Sequence, residues 1–209
     1  DIESLLKRYK GTDYEKHVNL DTEKSYHREE CGHCLTHNSF CVLVMTWKPG
    51  CGSAIHSHGN SECSLLLLEG DHLCEEIYER VDGDMSDLIT EIDKESSSNE
   101  TGENNNTKVK IDVKVTKQGA SKPGSIGYVN DSIGPHRIFN NDKNAHAVSL
   151  HVYYPAYDTC YIFDQDTGDG KIAFVNSCAE KPTGQPIQLI EKALDVIEKA
   201  ACFGSRPET

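Results

Sequence analysis

Two segments carry the residue types best able to do chemistry. His56-x-His58 ends an extended run at 54–58. Residues i and i+2 of a strand point to the same side, so both imidazoles can grip one metal ion. Gly50 stands six residues before the pair, Glu62 and Cys63 follow it, and Gly70 closes the next extended run. Far downstream, Gly134-Pro135-His136 leads to Asn140 and offers a third imidazole. A lone pair of histidines at this spacing says little, whereas two such segments set among strands say more. Elsewhere, Cys31-Gly32-His33-Cys34 copies the thiol–disulfide exchange motif. That motif needs a strand before it and a helix after it, and here it is expected in a polar loop ahead of a β-run. Cys31, His33, Cys34 and His37 are also zinc-ligand types, but four such ligands are cramped at this spacing. His17, His27, His72 and His146 read as surface or hydrogen-bonded residues, and Cys74, Cys178 and Cys202 as packing thiols.

The elements that must position these residues read as short strands. Residues 40–47 form an apolar run, followed by the turn Lys48-Pro49-Gly50-Cys51-Gly52. Further strands are expected at 54–58, 63–68, 73–80, 127–130, 137–140, 147–153 and 172–175. Residues 109–115 alternate apolar and polar, which predicts one solvent face and one core face. Many short strands with Gly- and Pro-rich turns imply an antiparallel barrel or sandwich. Ahead of them, Ile2, Leu5, Leu6 and Tyr9 share a helical face, Gly11 breaks the helix, and Thr12 or Asp13 is placed to cap a second short one. After Pro186, a helix over 187–201 is expected, with Leu189, Ile190, Ala193, Leu194, Ile197 and Ala201 on one face. It reads as docking on the barrel.

Composition narrows the functional classes. The 209 residues carry 21 Lys and Arg against 34 Asp and Glu, a net charge of −13. That argues against nucleic acid and anionic membranes, both of which need clustered cations. Between Asp82 and Asn106, eight acids and one Lys leave a net of −7, about half the total. This stretch, about 82–107, includes the low-complexity residues 96–106 and reads as a disordered insertion in one barrel. No apolar run approaches the roughly 18 residues of a membrane span. The sequence opens at Asp1 without Met, and no basic stretch followed by an apolar one stands at its start. Nine cysteines, an odd count in a chain of this length, read as reduced thiols in a cytoplasmic protein. Asn99 and Asn105 begin glycosylation sequons, which matter only in a secreted chain.

The two histidine segments resemble the two motifs of the cupins, in which a small β-barrel holds a metal between strands. The second motif departs slightly, with Asp131 and Ile133 at its usual Pro and Gly positions and Gly134 displaced by one. The first motif usually supplies a Glu as fourth ligand, and here two registers compete. Three intervening residues after His58 select Glu62, and six before Gly70 select Cys63.

The second register resembles that of the cysteine dioxygenases, the thiol-oxidising branch of the cupins. Matching stretches are Gly52-Ser53-Ala54-Ile55-His56-Ser57-His58, Asn60-Ser61-Glu62-Cys63, residues 128–137 and residues 147–153. Asp158-Thr159-Cys160, Phe163-Asp164-Gln165 and Thr167-Gly168 extend the likeness, which covers roughly Tyr26 to Gly168. The acidic insertion, the terminal helix and the short N-terminus depart from it. The resemblance implies a mainly β, single cupin-type barrel of jelly-roll kind. It implies Fe(II) held by His56, His58 and His136, with L-cysteine chelating through thiolate and amine. Both atoms of O2 would end on sulfur, giving cysteine sulfinate, a step of cysteine catabolism and taurine biosynthesis. By the same resemblance Cys63 and Tyr153 form a thioether cross-link, with Ser149 and His151 hydrogen-bonded behind the phenol. Arg28, beside Tyr26, would hold the substrate carboxylate, for which a forked guanidinium suits. Trp47 and Cys160 would stand behind the site. Arg28 aligns only with a two-residue shift relative to His56.

The expected layout is an N-terminal helical segment at 1–38, a barrel at 39–178 and a tail at 179–209, in a monomer. Rival readings are a 3-mercaptopropionate dioxygenase, which resembles this branch but usually has Gln in place of the Arg, and a metal-binding or sensing cupin without turnover.

Overall fold

A computed structural model describes residues 2–33, 40–59, 61–80 and 111–175. Helix α1 (Ile2–Arg8) and a single 3-10 turn (Glu15–His17) precede eleven strands. These are β1 (Tyr26–His33), β2 (Cys41–Trp47), β3 (Ile55–His56), β4 (Glu62–Glu69), β5 (Leu73–Arg80), β6 (Ile111–Ser121), β7 (Ile126–Val129), β8 (His136–Asn140), β9 (Ala147–Tyr154), β10 (Thr159–Phe163) and β11 (Gly170–Phe174). They form two antiparallel sheets, one ordered β1-β2-β9-β4-β7 and the other β11-β10-β3-β8-β5-β6. The protein is mainly β, with the two-sheet barrel of a cupin. The expected insertion at 82–107, the helix at 187–201, Cys34, His37, Cys178 and Cys202 lie outside the described residues.

The core explains the run at 40–47. Leu43, Met45, Cys63, Leu65, Leu67, Leu73 and Ile138 fill the space between the sheets. On the other side of the first sheet, Leu5, Leu6 and Tyr9 of α1 pack on Val42, Val44, Leu66, Val148 and Leu150. Strand β2 is therefore buried on both faces along its whole length, and a strand in that position reads as a continuous apolar run. Strand β9 is buried at every position but its last.

Several expectations need correction. Among the described residues of the segment 1–38, helix is confined to Ile2–Arg8 and the turn Glu15–His17, because Tyr26–His33 is a strand paired antiparallel with β2. It lies at the sheet edge, where polar and charged residues are common, and its sequence Tyr-His-Arg-Glu-Glu hides the strand pattern. Cys31 and His33 thus belong to a strand, not a loop. Neither Thr12 nor Asp13 caps the second turn with its side chain: Tyr14 is its N-cap, without a side-chain bond. Asp13 instead accepts a 2.7 Å hydrogen bond from the Tyr9 hydroxyl. Of the expected strand 109–115, residues 109 and 110 lie outside the described residues, and from Ile111 on β-bulges interrupt β6 on either side of Tyr78, where Val115 is exposed. Strand β10 was not foreseen, and β3 is only two residues long.

The displaced glycine of the second motif has a physical reason. Gly134 adopts φ +135°, and a Cβ there would collide with the Tyr78 carbonyl oxygen. Glycine is needed at 134, and Ile133 at the usual position stays exposed.

Candidate functional site

The three imidazoles converge through strand register. His56 on β3 and His136 on β8 are direct cross-strand partners, and His58 follows two residues after His56. Their ligand atoms all lie within 4.8 Å of one another. Ring centroids are 4.6 Å apart for His56–His136 and His58–His136 and 5.2 Å for His56–His58. His56 Nδ1 lies 3.0 Å from the Ala54 carbonyl oxygen, and His136 Nδ1 lies 2.7 Å from Glu75 Oε1. A carbonyl only accepts, so Nδ1 of His56 carries the proton and Nε2 is left as the ligand atom. Burial, then the like charge of the neighbouring imidazoles, pushes His56 and His136 well below the ordinary histidine pKa. Both rings are therefore neutral, the form a metal needs. His58 is fully buried, and among the described residues neither of its ring nitrogens has a hydrogen-bond partner. An orphaned buried nitrogen is costly, and a metal ion at the centre of the three rings removes that cost. These residues fit a metal.

Structure separates the two rival registers. Glu62 is exposed on β4, opposite Tyr154, while Cys63 is 1% exposed and faces the interior. Glu62 is not among the clustered ligands. Asn140 is buried, but its amide donates to the Ala145 carbonyl at 2.7 Å and so shapes a turn.

Beside the histidines runs a hydrogen-bonded chain on one face of β9. Cys63 and Tyr153 are direct partners across β4 and β9, which sets their Cβ atoms about 5 Å apart. The Trp47 indole N–H donates to Ser149 Oγ at 2.8 Å, and Ser149 Oγ lies 2.8 Å from His151 Nε2. His151 Nδ1 lies 3.4 Å from the Tyr153 hydroxyl and 3.6 Å from Cys63 Sγ. Burial, then the charge of His136, holds His151 well below its ordinary pKa, so it is neutral. An indole only donates, so Ser149 Oγ accepts from Trp47 and shares its second bond with His151 Nε2. Burial pushes the Cys63 thiol up to about 12, against a Tyr153 hydrogen bond that lowers it. Burial and the neighbouring Cys63 raise Tyr153 well above an ordinary phenol.

A cavity of about 1030 Å³ opens onto both sets, lined by Tyr26, Arg28, His56, His136, Tyr153 and Cys160 among others. Arg28 is placed by β1, opposite Met45. Burial opposes its charge, but the phenols of Tyr153, Tyr157 and Tyr26 outweigh that and raise its pKa. Among the described residues no carboxylate forms an ion pair with it. Tyr26 stacks on Trp47 with centroids 5.0 Å apart. Cys160 is 3% exposed, its thiol pushed up to about 11 by burial. Tyr26, Arg28, Trp47, His56, His136, His151, Tyr153 and Cys160 all line this cavity, while Glu62 and Asn140 do not.

Three residues at the site escaped sequence reasoning. Tyr157 lines the cavity edge-on to Tyr153, with centroids 5.2 Å apart. Glu75 backs His136. Asp131 Oδ1 accepts from the His58 backbone N–H at 2.6 Å and lies 3.6 Å from His58 Nδ1. For Asp131 a signal existed, namely an acid where the motif usually has Pro. For Glu75 the signal was an acid between Leu73 and Ile77 on the core face of a strand.

Fold and cluster together define a cupin with a three-histidine metal site. The family model described as "Cysteine dioxygenase type I" matches residues 1–166, and the chain belongs to that family. It is 33% identical over 129 residues to "Cysteine dioxygenase type 1" of Rattus norvegicus and of Homo sapiens. Against the protein of the same description from Danio rerio it is 32% identical over 129 residues. Each match covers 62% of this chain and 52% of the relative, so the chain spans about half the length of the curated relatives it matches. Among solved structures, "Oxalate oxidase in complex with substrate analogue glycolate" is a distant likeness, with TM-score 0.43, 14% identity, and 90% of this chain and 78% of that one covered. No described helix is long and apolar enough to cross a membrane.

Proposed function

We propose that the chain is a non-haem iron thiol dioxygenase that oxidises L-cysteine with O2 to cysteine sulfinate. The observation that carries this reading is a protonated Arg28, lacking a carboxylate partner among the described residues, in the same cavity as three neutral imidazoles. Such a cavity suits a small ligand with one metal-binding end and one carboxylate end. His56, His58 and His136 would hold Fe(II), which when bound supplies a Lewis-acidic, redox-active centre that favours the thiolate. The sulfur loses four electrons and O2 gains four, so no external reductant is needed.

In this reading Arg28 grips the carboxylate with two parallel N–H donors and sets the direction of the substrate. Tyr26, stacked on Trp47, holds the wall beside it. The chain Trp47–Ser149–His151 positions Tyr153, which lines the cavity and can hold or pass a proton there. Cys63 and Tyr153 are the pair for a thioether cross-link. Its formation joins Sγ to a ring carbon and removes two hydrogens, with O2 as oxidant. The protein would act as a monomer in the cytoplasm, where thiols such as the six described cysteines, none of them in a disulfide, stay reduced.

Oxygen uptake with cysteine, 3-mercaptopropionate and cysteamine tests the reading. Cysteine is expected to be the best of the three, with sulfinate formed in step with O2 consumed. Arg28 favours it over 3-mercaptopropionate, and cysteamine has no carboxylate to grip. Uptake with none of them by iron-loaded protein would return the chain to a metal-binding cupin without turnover.

A further inference from the structure

The three imidazoles are not equivalent, and the difference lies behind them. His56 is backed by a neutral carbonyl, that of Ala54. His58 lies 3.6 Å from Asp131 Oδ1, but that oxygen's short bond is to the backbone N–H. Among the described residues, His136 alone of the three has a carboxylate at charge-assisted hydrogen-bond distance, Glu75 Oε1 at 2.7 Å from Nδ1. Glu75 stands where the strand pattern calls for an apolar residue. Its neighbours on the same face of β5, Leu73 and Ile77, are 2% and 3% exposed. Ile77 pairs with His136 and Glu75 with Ile138, so the carboxylate reaches the imidazole diagonally along the inner face.

We propose that Glu75 is a positioning residue for the metal, resting on the three-histidine reading above. It holds the proton on Nδ1 of His136, keeps Nε2 forward and makes this imidazole the most strongly donating of the three. Its negative charge, close behind a cationic centre, also favours the more oxidised metal. Outer partners of this kind contribute about 10- to 100-fold in metal affinity.

The test measures three quantities on the full chain. These are the Fe(II) dissociation constant by anaerobic chelator competition, the midpoint potential of the bound iron, and the melting temperature of the metal-free protein. Glu75→Gln keeps the shape and an acceptor oxygen but removes the charge, and Glu75→Asp keeps the charge on a shorter arm. Glu69→Gln is the control, since that acid pairs with Tyr14 and His146 away from the three histidines. Glu75→Gln is expected to weaken iron by about ten-fold and to raise the potential, with the metal-free melting temperature near the parent's. Glu75→Asp should fall between, and Glu69→Gln should move neither affinity nor potential. Affinity within two-fold of the parent, or a loss of affinity with an unmoved potential, overturns the proposal. If the Gln variant does not fold, a Glu75→Asp protein with parental affinity and potential overturns it as well. A parent that binds no iron, or His136→Ala binding like the parent, points instead at the three-histidine reading itself.

Discussion

The two sheets furnish the site in opposite ways. On the five-stranded sheet, Trp47, Ser149, His151 and Tyr153 complete one another's hydrogen bonds within protein. On the six-stranded side, His58 keeps two buried ring nitrogens without hydrogen-bond partners among the described residues, and His56 and His136 are forced neutral by burial. One half is satisfied as folded, whereas the other keeps a ligand nitrogen on each ring for something bound. Period-2 alternation suffices for the first, since Ser149, His151 and Tyr153 are i, i+2 and i+4 of one strand. The second needs His56 and His136 brought together from positions 80 residues apart in sequence, through pairing of β3 with β8.

Breaking the six-stranded half should have the largest effect. His56→Ala, His58→Ala and His136→Ala are each expected to lose iron and activity together, by more than about 100-fold in affinity, since each removes a ligand outright. Elemental analysis of purified variants, beside the parent at about one iron per chain, checks this. A variant with parental iron would break the contrast between the halves.

Arg28 faces both halves and comes next. Arg28→Gln should lower kcat/KM for cysteine by roughly 30- to 1000-fold, the equivalent of about 2–4 kcal/mol for a charge-assisted pair in a closed pocket. Iron content should hold, and cysteamine turnover should stay poor and little changed. Steady-state constants for both thiols measure it, and unchanged cysteine kinetics would mean another group holds the carboxylate.

Acid should sharpen the comparison further. His56, His136 and His151 have folded pKa values pushed below the unfolded value of about 6.5. Above that value both states are neutral and these groups contribute nothing. As pH falls below it the unfolded chain takes up protons that the fold refuses, so stability drops. The metal-free protein should melt lower at pH 5.5 than at pH 7.5. Iron, which binds only the neutral imidazoles of the folded state, should lift the melting temperature at pH 7.5. A metal-free melting temperature independent of pH over this range would show that the rings already accept protons in the fold.

The smallest effect belongs to Glu62. It is exposed on β4, so Glu62→Gln should change stability by no more than about 0.5 kcal/mol and leave iron content as it was. Cys63→Ser, one residue on, should abolish any branched Cys63–Tyr153 peptide in digests while iron stays bound. Loss of iron in Glu62→Gln would restore the other register.

Local pattern made much of this legible in the sequence. Strands β2, β4, β5, β8 and β9 follow from apolar runs and Gly or Pro punctuation, and their bounds come within one or two residues. The side-by-side aim of His56 and His58 follows from strand spacing alone. The resemblance, carried by stretches such as 128–137, brought His136, Cys63 and Tyr153 into one hypothesis. What stayed hidden depends on neighbours. Strand β1 is an edge strand whose charged residues mask its alternation, and it carries Arg28 to the cavity. The choice between Glu62 and Cys63 rests on which face of β4 meets the interior, which a one-residue shift reverses.

The sequence by itself determined the class of fold, the ligand types and the pairing of histidines two residues apart, because these depend on period and residue chemistry within a few positions. Only the tertiary structure decided that Glu75 backs His136, that Asp131 holds the chain at His58 and that Tyr157 joins the wall beside Arg28. Each of those contacts joins segments far apart in the chain, through antiparallel register or the closing of one sheet over the other. Pairing of that kind is set by the packing of the whole barrel, and no local pattern encodes it.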